Sequence, residues 1–330
     1  MKALRPITRA AARHLNLSAY TRAEFQAWHG PGAGVVTASG IPALLGASRW
    51  DSRYSYLRRI ADRDAPSKPV TAAMIRGRML ESIAAEMIAI QREDLVVMAG
   101  NVVAHHPTIP RFLATPDVVV SRRTAKSPAA RYGVGEIKTV GKRTFEAQWA
   151  DGPPPAVEWQ HHAQMAATGA RWGIIVALMI AEYPPAGELP FELVIYERER
   201  NDLLVEEIED TVREALAAVD SGDFGSPDPS PHTTKLLRAT YNIDPDEIAS
   251  LQENTEAAKM FDAWEAARRA AAEAKETQDA ARDYFTALAP RARLLLLPEG
   301  RVIEAKQVKV KSYTVPEQTQ VRWTLRRSTP

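Results

Sequence analysis

The chain has 330 residues, 45% hydrophobic and 25% charged, with a formal net charge of +1; this is the profile of a soluble globular protein, long enough for one large domain with an extension or for two domains. It contains no cysteine, which excludes disulfides, thiolate zinc sites, iron–sulfur clusters and cysteine nucleophiles. No apolar run approaches the roughly 20 residues of a bilayer span, and the basic N-terminal segment lacks the apolar stretch of a secretory signal, so the expectation is a cytoplasmic protein without a membrane partner.

The small net charge conceals an uneven distribution. Residues 1–60 carry nine Lys/Arg against Glu24 and Asp51, and residues 301–330 carry seven against Glu304 and Glu317. Balances of +7 and +5 leave −11 for the middle of the chain. Basic ends on an acidic body suit a protein that grips phosphates peripherally and holds cations centrally.

In chain order, residues 1–20 read as a short helix or loose arm. A glycine-rich stretch at 29–34 leads to Val35-Val36-Thr37-Ala38-Ser39, where Thr37 or Ser39 caps a helix that starts with Pro42 in its first turn. Residues 52–62 read as an amphipathic helix. Met74, Ile75, Leu80, Ile83, Met87 and Ile90 recur near the helical period and predict a helix over 71–92. Short β-branched runs at 95–97, 102–105, 111–120 and 132–140 predict strands, the last two joined by the polar loop SRRTAKSPAA. A helix over 156–169, strands over 172–182 and 191–197, and a helix over 200–221 follow. That order predicts a mixed sheet with helices packed on it. A Pro/Ser-rich stretch at 222–233 marks a boundary. Beyond it come a long Ala-rich helical region over 245–288, continuous or broken near Asn254, and strands at 301–314 and 320–326. Lys306, Lys309 and Lys311 alternate with Val308 and Val310 to give one basic strand face.

Asp117 follows Thr115-Pro116 at the start of a strand, and Gly135-Glu136-Ile137-Lys138-Thr139 follows on the next. Alternation puts Glu136 and Lys138 on one face, with Ile137 on the other. Pairing of the two strands sets Asp117 beside Glu136. Two carboxylates at a sheet end make an oxygen site suited to Mg²⁺ or Mn²⁺, and Lys138 beside them stabilises charge growing on a phosphate. Glu81, on the 71–92 helix four residues after Gly77, offers a third carboxylate. Singly, each of these short patterns is an ordinary turn or surface pair; their joint occurrence on a helix, a hairpin and a following helix gives them weight. The paired histidines His105-His106 and His161-His162 lack the spacing of a closed zinc site, and the 30–34 glycines lack the Gly-Lys-Ser/Thr of a phosphate loop.

These elements, with Ala27-Trp28-His29, Gly34-Val35-Val36-Thr37-Ala38-Ser39 and Trp159-Gln160-His161-His162-Ala163-Gln164-Met165, resemble the YqaJ or lambda-exonuclease family of phage recombination nucleases within the PD-(D/E)XK superfamily. The resemblance runs from about Ala27 to Phe224. It implies an α/β restriction-endonuclease-like core at 21–225, preceded by an arm at 1–20 and followed by a helical and β extension at 226–330. It implies that Glu81, Asp117, Glu136 and the Ile137 carbonyl hold one or two Mg²⁺ or Mn²⁺ ions. Lys138 and Gln160 then assist catalysis, and Ser39, Gln160 and Gln164 contact DNA. The family's basic residue before the Gly34 segment is replaced here by Gly30-Pro31-Gly32-Ala33, which leaves Arg49 as the candidate terminal-phosphate contact. The implied activity is 5′-to-3′ exonuclease action on double-stranded DNA ends, with a single-strand annealing protein as partner and a trimeric homo-oligomer as the assembly. An endonuclease on the same fold and a non-catalytic DNA-binding recombination protein are the alternatives.

Overall fold

The computed structural model describes residues 4–68, 70–181, 190–241 and 248–304, and the chain divides into two units, Met1–Tyr241 and Asn242–Pro330. Local sequence sets most element ends in the first unit. Thr8 caps α1 (Arg9–His14), which leads into β1 (Leu17–Ala19). Thr21 and Glu24 form a reciprocal capping box at the start of α2 (Arg22–His29). Then come β2 (Val36–Thr37), a 3₁₀ turn at Ala38–Gly40, α3 (Ile41–Leu44) and α4 (Arg53–Ala61). Thr71 caps α5 (Ala72–Gln91). Four strands follow, β3 (Leu95–Met98), β4 (Val102–His105), β5 (Phe112–Ala114) and β6 (Val118–Arg122). A short helix, α6 (Pro128–Arg131), turns the chain into β7 (Tyr132–Gly141) and α7 (Lys142–Gln148). α8 (Pro155–Thr168) ends at Gly169, whose φ of 73° suits a residue without a side chain. β8 (Trp172–Ile180), β9 (Phe191–Glu199), α9 (Asp202–Ser221) and α10 (Pro231–Thr240) complete the unit.

The main sheet has the order β3-β6-β7-β8-β9, with β7 and β8 parallel and the other neighbours antiparallel. On one face Ala84, Ala85 and Ile88 of α5 meet Val118, Val120, Ile137, Ile174 and Val176. On the other, Ala11 and Leu15 beside α1 and Met165 of α8 meet Val119 and Val134. A smaller sheet, β1-β4-β5-β2, shares a core with α3, α4, α8 and α9. This is the mixed sheet flanked by helices that the element order predicts.

Four details differ from the sequence reading, the first being that neither Thr37 nor Ser39 caps α3, whose N-cap is Gly40 with no side-chain bond. The run 111–120 is two strands in two sheets, because Pro116 cannot donate to a ladder and the chain changes sheet there. Residues 17–19 are no loose arm, since Leu17 pairs with Ala104 in the small sheet. α5 meets the sheet through small residues in its C-terminal half, while Met74, Ile75, Ile83 and Ile90 are 46%, 51%, 40% and 64% exposed. Short side chains allow the close approach that a row of isoleucines would block.

α10 packs on α4, and Ser52 Oγ lies 2.7 Å from Thr233 Oγ1. In the second unit, Asn254 caps a single helix, α11 (Thr255–Leu288), on which Phe261 and Trp264 lie with ring centroids 5.9 Å apart. β10 (Leu294–Leu296) and β11 (Val302–Glu304) form an antiparallel pair. The expected strand at 320–326 and the lysines at 306, 309 and 311 lie outside the described residues. No helix among the described residues is long and apolar enough to cross a membrane.

At Gly173 β8 lies close to both β7 and α8. A Cβ there would stand 2.4 Å from the Val134 carbonyl oxygen and 2.6 Å from the His161 ring. Gly173→Ala is expected to lower stability by about 1–3 kcal/mol, as overpacking does; an unchanged midpoint in urea unfolding would contradict this packing.

Candidate active site

β6 and β7 pair up to Val118↔Gly135 and then part. Asp117 directly precedes β6 and, in the same register, would face Glu136. Its N–H still donates to the Gly135 carbonyl at 3.2 Å, but its carboxylate Oδ2 turns back to accept the Ile137 N–H at 2.7 Å. A side chain thus replaces the strand as acceptor, and the sheet opens. Because the N–H and C=O of one strand residue point the same way, the Ile137 carbonyl faces this opening.

On β7 Glu136 and Lys138 both face α8, as alternation requires. Glu136 is only 3% exposed. Its Oε1 accepts Gln160 Nε2 at 2.7 Å and pairs with Lys138 Nζ at 2.5 Å, and its Oε2 accepts Gln164 Nε2. Lys138 Nζ also donates to Gln160 Oε1 at 3.0 Å. Gln160 and Gln164 are one turn apart on α8, so one helix face supplies both amides. Gln164, 1% exposed, is turned to Glu136 in the interior.

Burial, and then the charge of Glu136, raise the Asp117 carboxyl well above the usual carboxylate range. Burial and Glu136 also raise Glu81, against the opposing pull of Arg78 and Lys138. Burial alone would lower Lys138, but Glu136, Asp117 and Glu81 outweigh it and hold the ammonium protonated above its usual range.

Glu81 comes from α5, which covers the sheet face opposite α8, and no three His, Asp or Glu side chains among the described residues are placed to share one ion. The structure brings together Asp117, Glu136, Lys138, Gln160 and Gln164, with Glu81 close enough to feel Glu136 and Lys138. The donors that do come together, the Asp117 and Glu136 carboxylates and the Ile137 carbonyl, are all oxygen, the kind a hard divalent cation takes. His161, fully buried, is driven down to about 3 by burial and by His162 and is neutral at ordinary pH.

The other expected DNA contacts lie apart from this network. Exposed Ser39 sits on the 3₁₀ turn that packs against α8, its Oγ 3.1 Å from Thr37 Oγ1. Arg49, also exposed, stacks 5.0 Å over Trp50 and reaches Gln148 Oε1 at 3.4 Å. Two residues near the carboxylates gave no sequence signal. Burial, then Asp117 and Glu81, raise the Tyr20 hydroxyl, and Arg78 acts on both Tyr20 and Glu81. Tyr20 follows β1, whose pairing with β4 brings this N-terminal segment to the site.

Glu81, Pro116-Asp117 and Glu136-Ile137-Lys138 are borne on a helix, a sheet opening and a strand, the arrangement that the resemblance to the PD-(D/E)XK superfamily implies. Residues 27–171 match the model of the YqaJ-like viral recombinase domain, so the likeness read from the sequence stands over that stretch. No curated protein matches the chain. Among solved structures the chain is similar to an alkaline exonuclease from Laribacter hongkongensis (27% identity, 57% of this chain and 89% of that one, TM-score 0.45). It is also similar to the same enzyme in complex with dAMP (27% identity, 61% and 93%, TM-score 0.48). A phage-related exonuclease from Haemophilus somnus 129PT is 14% identical over 57% of this chain and 94% of its own, with a TM-score of 0.37.

Gln164→Leu leaves one oxygen of the buried Glu136 carboxylate without its donor. The expected loss is about 1.5–3 kcal/mol, the usual worth of a hydrogen bond to a charged group, and urea unfolding at neutral pH measures it.

Proposed function

We propose that this protein is a metal-dependent deoxyribonuclease of phage-type recombination that removes nucleotides from double-stranded DNA ends in the 5′-to-3′ direction. The observation that supports it most is Lys138 Nζ held between Glu136 and Gln160, on the strand beside Asp117. The match of residues 27–171 to a viral recombinase domain adds the recombination context. Asp117, Glu136, Glu81 and the Ile137 carbonyl would hold one or two Mg²⁺ or Mn²⁺ ions. When bound, a divalent ion supplies positive charge to the scissile phosphate oxygens and helps ionise the attacking water.

The chain's own residues then divide the remaining work. Lys138, held protonated by its acidic neighbours, stabilises negative charge that develops on the phosphate. Gln160 fixes the Lys138 ammonium and one oxygen of Glu136 together. Gln164 holds the other oxygen of Glu136, so that carboxylate keeps one orientation. Ser39 and Arg49 contact the DNA terminus. The protein acts in the cytoplasm, as a homo-oligomer of trimeric type, with a single-strand annealing protein taking up the strand it exposes.

A second reading, an endonuclease on the same fold, is favoured by the lack of a basic residue in Gly30-Pro31-Gly32-Ala33. End-labelled linear duplex and closed circular DNA, each with Mg²⁺ or EDTA, separate the two. Cleavage of linear duplex alone, abolished by EDTA, is expected; cutting of the closed circle would replace the exonuclease reading. Lys138→Ala and Asp117→Ala are each expected to slow cleavage by about 100-fold or more, with far-UV circular dichroism unchanged. Wild-type rates in either variant would remove these residues from the mechanism.

A further inference from the structure

At the far end of β7 from Glu136, the N-terminal helix and the β6–β7 hairpin enclose a cleft of about 530 Å³. Arg13 and His14 of α1 line one side, and Lys126, Arg131 and Tyr132 line the other. No carboxylate is among the lining residues. The hairpin carries four cations between Ser121 and Tyr132, and they divide into two kinds. Arg122 and Arg123 are committed, to Glu197 and Glu199 and to the Glu93 carbonyl. Lys126 and Arg131 face the cleft, and neither they nor Arg13 join any ion pair among the described residues. In addition, the Arg131 Nε–H is shut off from solvent with no acceptor among the described residues. Arg131 as a whole is half-buried and lines the cleft.

Three cations outside any ion pair around one concave wall make a positive surface that an anion would neutralise. The space is that of a small-ligand pocket, larger than a single inorganic ion requires. The His14 and Tyr132 rings, with centroids 5.8 Å apart and tilted by 42°, give it an aromatic wall. Cations that take phosphate oxygens, together with aromatic faces that take bases, are the ingredients of single-strand nucleic-acid binding. An acidic peptide would use the cations and leave the rings without a role.

We propose that this cleft is a second nucleotide site, which takes the phosphate and base of a single strand or of a free mononucleotide. Tyr132 and Glu136 are four residues apart on one face of β7, roughly 13 Å at the strand rise, so the cleft is separate from the carboxylates. The strand as occupant rests on the nuclease reading above, because removing one strand of a duplex leaves the other single; the phosphate chemistry of the cleft does not depend on it.

The test uses the full chain in EDTA, so that no cleavage intervenes. A fluorescein-labelled 12-nucleotide DNA strand is titrated by anisotropy at several salt concentrations, with dAMP and poly-glutamate as competitors. Arg13 and Lys126 are exposed, so their replacement leaves the core intact. Arg13→Ala/Lys126→Ala is expected to weaken strand binding about tenfold and to reduce the salt slope by about 1.4, at 0.7 per phosphate contact. Competition by millimolar dAMP in the wild type but not in the double variant would assign the cleft to free nucleotide; its absence, with the tenfold loss, assigns it to the strand. Equal affinity and slope in wild type and variant overturn the proposal, as does poly-glutamate binding that is lost in the variant while strand binding is not. Cleavage of linear duplex by the double variant, measured separately with Mg²⁺, reads the carboxylate site alone and tells failure of the cleft from failure of the nuclease reading.

Discussion

The Asp117 carboxylate accepts the Ile137 N–H where β6 would otherwise have continued, and much of the site follows from this one bond. A sheet that carried on pairing would bury the polar edge of β7 in ladder hydrogen bonds. Here the N–H is satisfied by a side chain, which meets the requirement that buried backbone groups find partners. The neighbouring carbonyl is turned into the opening. Pro116 enforces the break from the other side, since it has no N–H to offer a neighbouring strand. An acidic residue directly after a proline therefore does two jobs: it ends a strand and places a carboxylate in the gap.

The second constraint is electrostatic. Glu136 is almost fully buried, yet Lys138, Gln160 and Gln164 supply donors to both of its oxygens. Asp117 and Glu81 are less well provided, and burial together with the charge of Glu136 raises both. Crowded, shifted carboxylates of this kind cluster at functional sites, though structural ion-pair networks shift groups in the same way. One wall, α8, carries the amides that fix Glu136 and Lys138; the opposite wall, α5, carries Glu81. The site is thus assembled from both faces of the sheet around its open edge.

Strand alternation made the Glu136–Lys138 pair legible from the sequence, and Pro116-Asp117 marked the place where a second carboxylate would join it. The helix over 71–92 was equally plain, but not its packing face: Ala84 and Ala85 carry too little hydrophobicity to stand out beside Met74, Ile75 and Ile83, which are exposed. The division of 111–120 between two sheets was also hidden, because β-branched residues and a proline read the same on either side of a crossing. Tyr20 gave no sign of its place, since its approach to Asp117 depends on pairing between residues about 85 positions apart, Leu17–Ala19 with Val102–Ala104. Gln164 was expected at the DNA by resemblance, whereas helical spacing from Gln160 carries it inward to Glu136.

The crossing at Thr115-Pro116 links the two sheets through very little chain. β5 ends at Ala114 and Asp117 stands three residues later. β5 in turn pairs with β2, which runs straight into the turn that carries Ser39. Ser39 and Asp117 are thus joined by two paired strands and a proline, with only Thr115 and Pro116 between β5 and the carboxylate. The smaller sheet therefore fixes where the chain enters the site at Asp117.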